Sequence, residues 1–160
     1  MSGVRGSTLI EVLIAVLVLA VGLLGFAFMQ VRGLKSSTEV AQLEQARRTV
    51  ATLYEAIQTY DDRATPGRFA RTIPTSLPAC ETSSCSATQW ADYHLKKAAD
   101  HLAGILPSAA LAVSYDTTGN AYRIAVTWNP SRGTTAYTPA TCTAASHDAE
   151  GCYFLTFRME

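Results

Sequence analysis

The sequence has no polar side chain between Val12 and Met29, no proline before Pro66 and no excess of either charge, with Lys+Arg and Asp+Glu at 13 each. Each absence excludes something. Balanced charge excludes bulk electrostatic capture of nucleic acid, which needs a basic face, and no direct nucleic-acid binding is expected. It also excludes a polybasic membrane-surface binder. Without an early proline, nothing forces a break in a helix over the first sixty or so residues. There is no G-x-S-x-G, no H-E-x-x-H and no P-loop, so no catalytic residue, metal site or cofactor is expected. The length of 160 residues holds one or at most two domains. Only 16% of residues are charged, against about 25% in ordinary soluble domains, so some segment skews the composition.

That segment is Val12–Met29, VLIAVLVLAVGLLGFAFM, roughly 27 Å long as a helix and close to the hydrocarbon thickness of a bilayer. The chain is therefore expected to cross a membrane once, with a large soluble part on one side. A secretory signal peptide would have a shorter apolar core and a small-residue cleavage site after it. Here Gln30, Val31 and Arg32 follow instead. Glu11 stands at the start of the run, where a carboxylate is costly unless it reaches the headgroups or finds a partner. Snorkelling to the headgroups is one reading of Glu11.

The other reading takes the whole N-terminus together. A short leader, Met1-Ser-Gly-Val-Arg5-Gly6, carries one basic side chain and ends in glycine; Ser7, Thr8, Leu9, Ile10 and Glu11 lead into the apolar run. This resembles a type IV pilin, specifically a PilV-type minor pilin (type IV pilus modification protein). Gly6, Glu11 and Leu9-Ile10-Glu11-Val12-Leu13-Ile14 match the pilin pattern, and Val21-Gly22-Leu23-Leu24-Gly25 resembles the PilV-type and pseudopilin helix. Ser7 departs from the phenylalanine usual at that position. The resemblance implies that a prepilin peptidase cuts between Gly6 and Ser7 and methylates Ser7. It further implies that Glu11 pairs with the N-terminal ammonium of a neighbouring subunit, which would offset the expense of a lone carboxylate in a dry helical bundle. Gly22 and Gly25 each weaken the helix by up to about 1 kcal/mol. They mark either a small-residue contact with a neighbouring helix or a point of helix flexibility during assembly.

Past the apolar run, Leu43, Ala46, Val50, Leu53, Ile57 and Tyr60 form one helical stripe, and Glu44 and Arg48 sit at i,i+4 on a more polar face. One helix is expected from about Thr8 to Tyr60. Asp61, Asp62, Pro66 and Gly67 end it. Ser86-Ala-Thr-Gln89 reads as a capping box opening a second helix with a stripe of Ala91, Leu95, Ala98, Leu102 and Ile105, closed by Pro107. Leu111, Val113 and Tyr115, a turn at Asp116–Asn120, then Tyr122, Ile124, Val126 and Trp128 read as a β-hairpin; Tyr153, Leu155 and Phe157 give a last strand. The expected fold is α+β and pilin-like: a long N-terminal helix packed on a small three-stranded antiparallel sheet, with room for a fourth strand, plus one short helix. The expected division is 1–6 leader, 7–31 transmembrane and assembly helix, 32–60 amphipathic continuation and 61–160 periplasmic globular head.

Four cysteines allow three disulfide pairings and suggest an oxidising compartment. The local pairings, Cys80 with Cys85 and Cys142 with Cys152, are favoured, and each closes a short loop for up to roughly 3 kcal/mol. The second resembles the C-terminal disulfide-bounded region of pilins. Zinc is disfavoured, since the spacings fit no usual finger or ribbon. His94 and His101 lie roughly 10 Å apart along the second helix, too far for one metal ion. His147-Asp148-Ala-Glu150 reads as a solvated turn, and the threonine-rich 134–143 stretch as an exposed loop edge. Arg5 before the span and Arg32 and Lys35 after it leave the positive-inside bias nearly level; the cysteines place residues 32–160 in the periplasm. The resemblance implies a non-enzymatic minor pilin that helps initiate or cap a type IV pilus, serving twitching motility and adhesion. Its implied partners are the inner membrane, the prepilin peptidase, other minor pilins, the major pilin and a tip adhesin. It would sit in the inner membrane as a single-pass protein and then in the pilus, at the tip or along the fibre. The alternatives are a pseudopilin of a type II secretion system, or a membrane-tethered periplasmic binding or enzymatic domain.

Overall fold

Two stretches of opposite chemistry share the first helix, α1, which runs Arg5–Tyr60 and begins slightly before the expected Thr8. The computed structural model describes residues 5–61, 66–129, 137–143 and 151–159, and within them not the side chains of 5–8, 35 and 36. Residues 1–4 of the expected leader, Asp62, the expected turn at His147–Glu150 and the first part of the threonine-rich stretch lie outside the described residues. The chain divides into two compact units, Met1–Thr38 and Glu39–Glu160, so the boundary falls inside α1.

Among the described side chains of the first unit, nothing apolar is covered. The large apolar side chains from Leu9 to Leu34 are 53–75% exposed. The segment is rich in leucine and alanine and free of proline, so it is helical by propensity, and it gains no burial from its own chain.

The second unit has a core. In α1 the buried positions are Ala46, Thr49, Val50, Leu53, Ala56 and Ile57, with Leu43 and Tyr60 partly buried against them. This is the expected stripe broadened by Thr49 and Ala56. Thr49 is tolerated inside because its hydroxyl donates to the Gln45 carbonyl at 3.0 Å. Helix α2, Ala87–Ile105, opens on the capping box: the Ser86 side chain accepts from the Gln89 N–H, and the Gln89 side chain accepts from the Ser86 N–H. Its buried residues are Ala91, Tyr93, Leu95 and Leu102. The expected stripe needs one correction at its end. Ile105 is 42% exposed, while Leu106, just past the helix in an extended conformation, is buried. The change of backbone direction before Pro107 turns Leu106 inward where helical periodicity would have used Ile105.

Strands β1 (Ala110–Asp116), β2 (Ala121–Thr127) and β3 (Cys152–Arg158) form an antiparallel sheet in the order β1-β2-β3. The register sets three apolar rows on one face: Leu111–Val126–Tyr153, Val113–Ile124–Leu155 and Tyr115–Tyr122–Phe157. All nine belong to the core cluster or pack against it. Residues 39–60 of α1 cover this face: Tyr54 meets Phe157 edge-on, and the Arg47 guanidinium lies 5.6 Å from the Tyr153 ring centroid. Such contacts satisfy the need of a small sheet for a helix over its apolar side. Trp128, expected within β2, falls just beyond it. It remains buried, with its N–H donating to the Gly151 carbonyl and its indole N–H to Gln42 Oε1.

The opposite face of β2 is not left to water. Arg123 stacks over Phe154 and donates to the Pro139 and Cys142 carbonyls, holding the 137–143 segment to the sheet. Ala125 and Thr127, on that same face, are buried.

Candidate functional site

The residues expected to carry function at the N-terminus all fall on α1. Gly6 and Ser7 lie in its first turn. Glu11 is exposed and stands where the apolar surface begins. From there the surface is apolar on every side, as it would be for a helix that faces lipid or other apolar helices. The most apolar 18-residue window has a mean hydropathy of 2.9 and none of it is buried. By length and composition this helix can cross a membrane. At the far end Arg32 folds back over the Phe28 ring, 4.5 Å from its centroid. A long cationic side chain leaning along the helix covers apolar surface with its stem while keeping its head polar. Gly22 and Gly25 are helical, and a Cβ at either would meet nothing within 4 Å. Neither glycine is required by packing within this chain.

The cysteines are joined as Cys80–Cys85 and Cys142–Cys152, and there is no free cysteine among the described residues. Cys152 is the first residue of β3 and pairs across the sheet with Thr127, so the second bridge ties the 137–143 segment to the sheet. The first bridge closes the loop that carries Glu81. Glu81 accepts from Tyr93 and, at 3.0 Å, from Lys97; its pKa is lowered first by the Tyr93 hydrogen bond and then by Lys97. Lys97 shares the same contacts, and its pKa is raised first by the Tyr93 hydrogen bond and then by Glu81. Both groups are exposed, so the network orients the loop more than it stabilises the fold.

Reading the sequence alone missed two further anchors. Asp61 stands out only as a helix-ending residue, yet its carboxylate accepts from the Gly67 and Arg68 N–H groups and from the Tyr122 hydroxyl. It thereby fixes the chain as it leaves α1 to the centre of the sheet. Burial, then the Asp61 hydrogen bond, raises the Tyr122 pKa well above the usual phenol value. Tyr60, Trp90, Tyr93 and His94 form the other anchor, a ring cluster in which Tyr60 stacks on Trp90 at 5.3 Å. A polar helix-ending signal and scattered aromatics give no hint of partners so distant in sequence. His94 and His101 are not brought together with other ligands, and no group of three His, Cys, Asp or Glu side chains among the described residues could hold a metal ion.

Residues 1–27 match the family model of the prokaryotic N-terminal methylation motif. No curated protein and no solved structure matches the chain. The matched motif is a type IV pilin-like signal of the kind carried by pilin-like and pseudopilin proteins, and it implies processing by a prepilin peptidase and association with the membrane or a pilus. It covers Gly6, Ser7, Glu11 and both glycines of the apolar helix.

Proposed function

We propose that this chain is a non-enzymatic minor pilin of the PilV type, which helps initiate or cap type IV pilus assembly. The observation that carries the reading is the methylation motif on a helical segment whose large apolar side chains, from Leu9 to Leu34, are covered by nothing in their own chain. Such a surface is stable only in lipid or among other apolar helices, and a pilus subunit uses both in turn. In this reading the peptidase cuts between Gly6 and Ser7, Ser7 is methylated, and residues 32–160 face the periplasm. The segments are the leader at 1–6, the assembly helix at 7–31, its amphipathic continuation at 32–60 and the head at 61–160. The partners are the prepilin peptidase, other minor pilins, the major pilin and a tip adhesin. Gly22 and Gly25, with open space around them, let the helix bend as it leaves the bilayer.

Glu11 pairs with the N-terminal ammonium of a neighbouring subunit. An amide is cheaper to bury than a carboxylate, so Glu11→Gln should insert normally and still be cleaved at Gly6. It would leave the neighbour's ammonium unpaired in the helical core, at several kcal/mol. The variant is therefore expected in membranes, shortened by the leader, and missing from sheared pili. Normal amounts in sheared pili would sink the pairing and leave Glu11 as a residue that only reaches the headgroups. A type II secretion pseudopilin shares the same motif, and the genes adjoining this one distinguish the two.

A further inference from the structure

Within the second unit, α1 and α2 do not close on each other along their whole length. Between Gln45–Leu53 and His94–His101 they leave an open cleft of about 280 Å³. Its floor is apolar. Leu53 is buried, Ala98 is half-buried, and the hydroxyls of Thr49 and Thr52 are turned to the Gln45 and Arg48 carbonyls, so neither hydroxyl proton is available to a guest. The inner wall is the His94 ring, whose Nε2 is enclosed and lacks a hydrogen-bond partner among the described residues. Burial, then the charge of Lys97, lowers the His94 pKa, so at neutral pH the wall is an uncharged ring. The rim is different. Arg48, Lys97 and His101 are all exposed and line it, while no carboxylate among the described residues does. The acids that pair with this rim lie outside the cleft: Glu44 with Arg48, 2.9 Å away, and Glu81 with Lys97. The Glu44–Arg48 pair is solvent-exposed on both sides, so an incoming anion displaces little.

We propose that this cleft binds a small carboxylate with a compact apolar or aromatic body. The body lies on Leu53 and Ala98 against the His94 ring, and the carboxylate points to Arg48, Lys97 and His101. The cavity is at the small end for ligand sites, which limits the guest to roughly a single ring or a short acyl chain. The cationic Arg48 and Lys97 on the rim favour an anion over a neutral molecule of the same shape. This site is independent of N-terminal processing and would function in cleaved and uncleaved chains alike.

The test uses the full chain in neutral-detergent micelles, with benzoate as the probe and benzamide as its uncharged counterpart, followed by NMR at pH 7. Benzoate is expected to shift the His94 and His101 ring signals and the amides of Arg48–Leu53 and Lys97–Ala98 saturably, with a Kd of about 1 mM for so small a ligand. Benzamide should bind at least about five-fold more weakly, and Arg48→Gln should weaken benzoate by a similar factor. Arg48 is exposed and its loss leaves the core intact. Ala98→Leu, which fills the floor, should abolish the shifts while the remaining spectrum stays folded. Equal binding of benzamide would overturn the proposal. So would benzoate shifts that survive Ala98→Leu, or the absence of saturable shifts at concentrations well above 1 mM.

Discussion

The two units of this protein answer the hydrophobic effect in opposite ways. In Glu39–Glu160, side chains such as Leu53, Ile57, Tyr122 and Ile124 are almost wholly removed from water by their own chain. In Met1–Thr38, Leu17, Leu19 and Leu24 remain 62–71% exposed. The same residue type thus serves folding in one unit and is left for an external partner in the other. Sequence shows the cause. After Leu43 the apolar residues keep to one stripe and polar residues fill the rest, whereas from Val12 to Met29 every face is apolar. A stripe can be covered by one sheet; an all-round apolar helix needs surroundings on every side.

The sharpest way to break this comparison is to shorten one leucine in each unit. Leu53→Ala should lower the unfolding free energy of the head by about 2–5 kcal/mol, since it leaves a cavity under the sheet. Leu17→Ala should leave head unfolding unchanged, because Leu17 is 64% exposed and touches none of that core. Denaturant unfolding of both variants in detergent, followed by Trp fluorescence, measures the contrast. Equal losses would mean that the units are energetically one.

The next effect concerns the covalent ties, which lie entirely in the second unit. Replacing Cys142 and Cys152 together by serine should cost roughly 2–3 kcal/mol through the freed unfolded chain. It should also expose Ala125 and Thr127, as the segment held by Arg123 loosens. Hydrogen exchange at the β2 amides would report that loosening, and unaltered protection would show that Arg123 alone suffices.

A smaller effect is expected with pH. Unfolded, His94 takes up a proton near its ordinary value of 6.5; folded, burial and Lys97 hold that uptake to lower pH, with Tyr60, Tyr93 and Trp90 also packed around the ring. Below about pH 6.5 the unfolded state therefore binds more protons than the folded one, and stability falls as pH falls. Thermal unfolding between pH 7.5 and 5 should show this decline, and His94→Phe should flatten it. His101→Asn, at an exposed position, should not.

Periodic features were legible because they repeat. The α1 stripe, the Ser86–Gln89 box and the alternation in Leu111–Tyr115 and Tyr153–Phe157 each offer several residues that agree, and the helices and strands formed there. Features set by single residues meeting across long separations were not. Nothing local to Asp61 tells of Tyr122, and nothing local to Tyr60 tells of Trp90 and His94. Ile105 was misplaced for a related reason: periodicity continues a helix on paper, whereas the backbone had already turned at Leu106. The cleft between α1 and α2 was equally hidden, because it exists only through the spacing of two helices. For the N-terminus the balance is reversed. Gly6, Ser7 and Glu11 are recognisable as a pattern in sequence, while the cleavage, methylation and pairing proposed for them need partners outside the chain.

Intact-mass measurement of the protein purified from its own membranes tests the central claim most directly. The account predicts a chain that begins at Ser7, lacks Met1–Gly6 and carries one added N-terminal methyl group. A mature protein that retains Met1–Gly6 would contradict it.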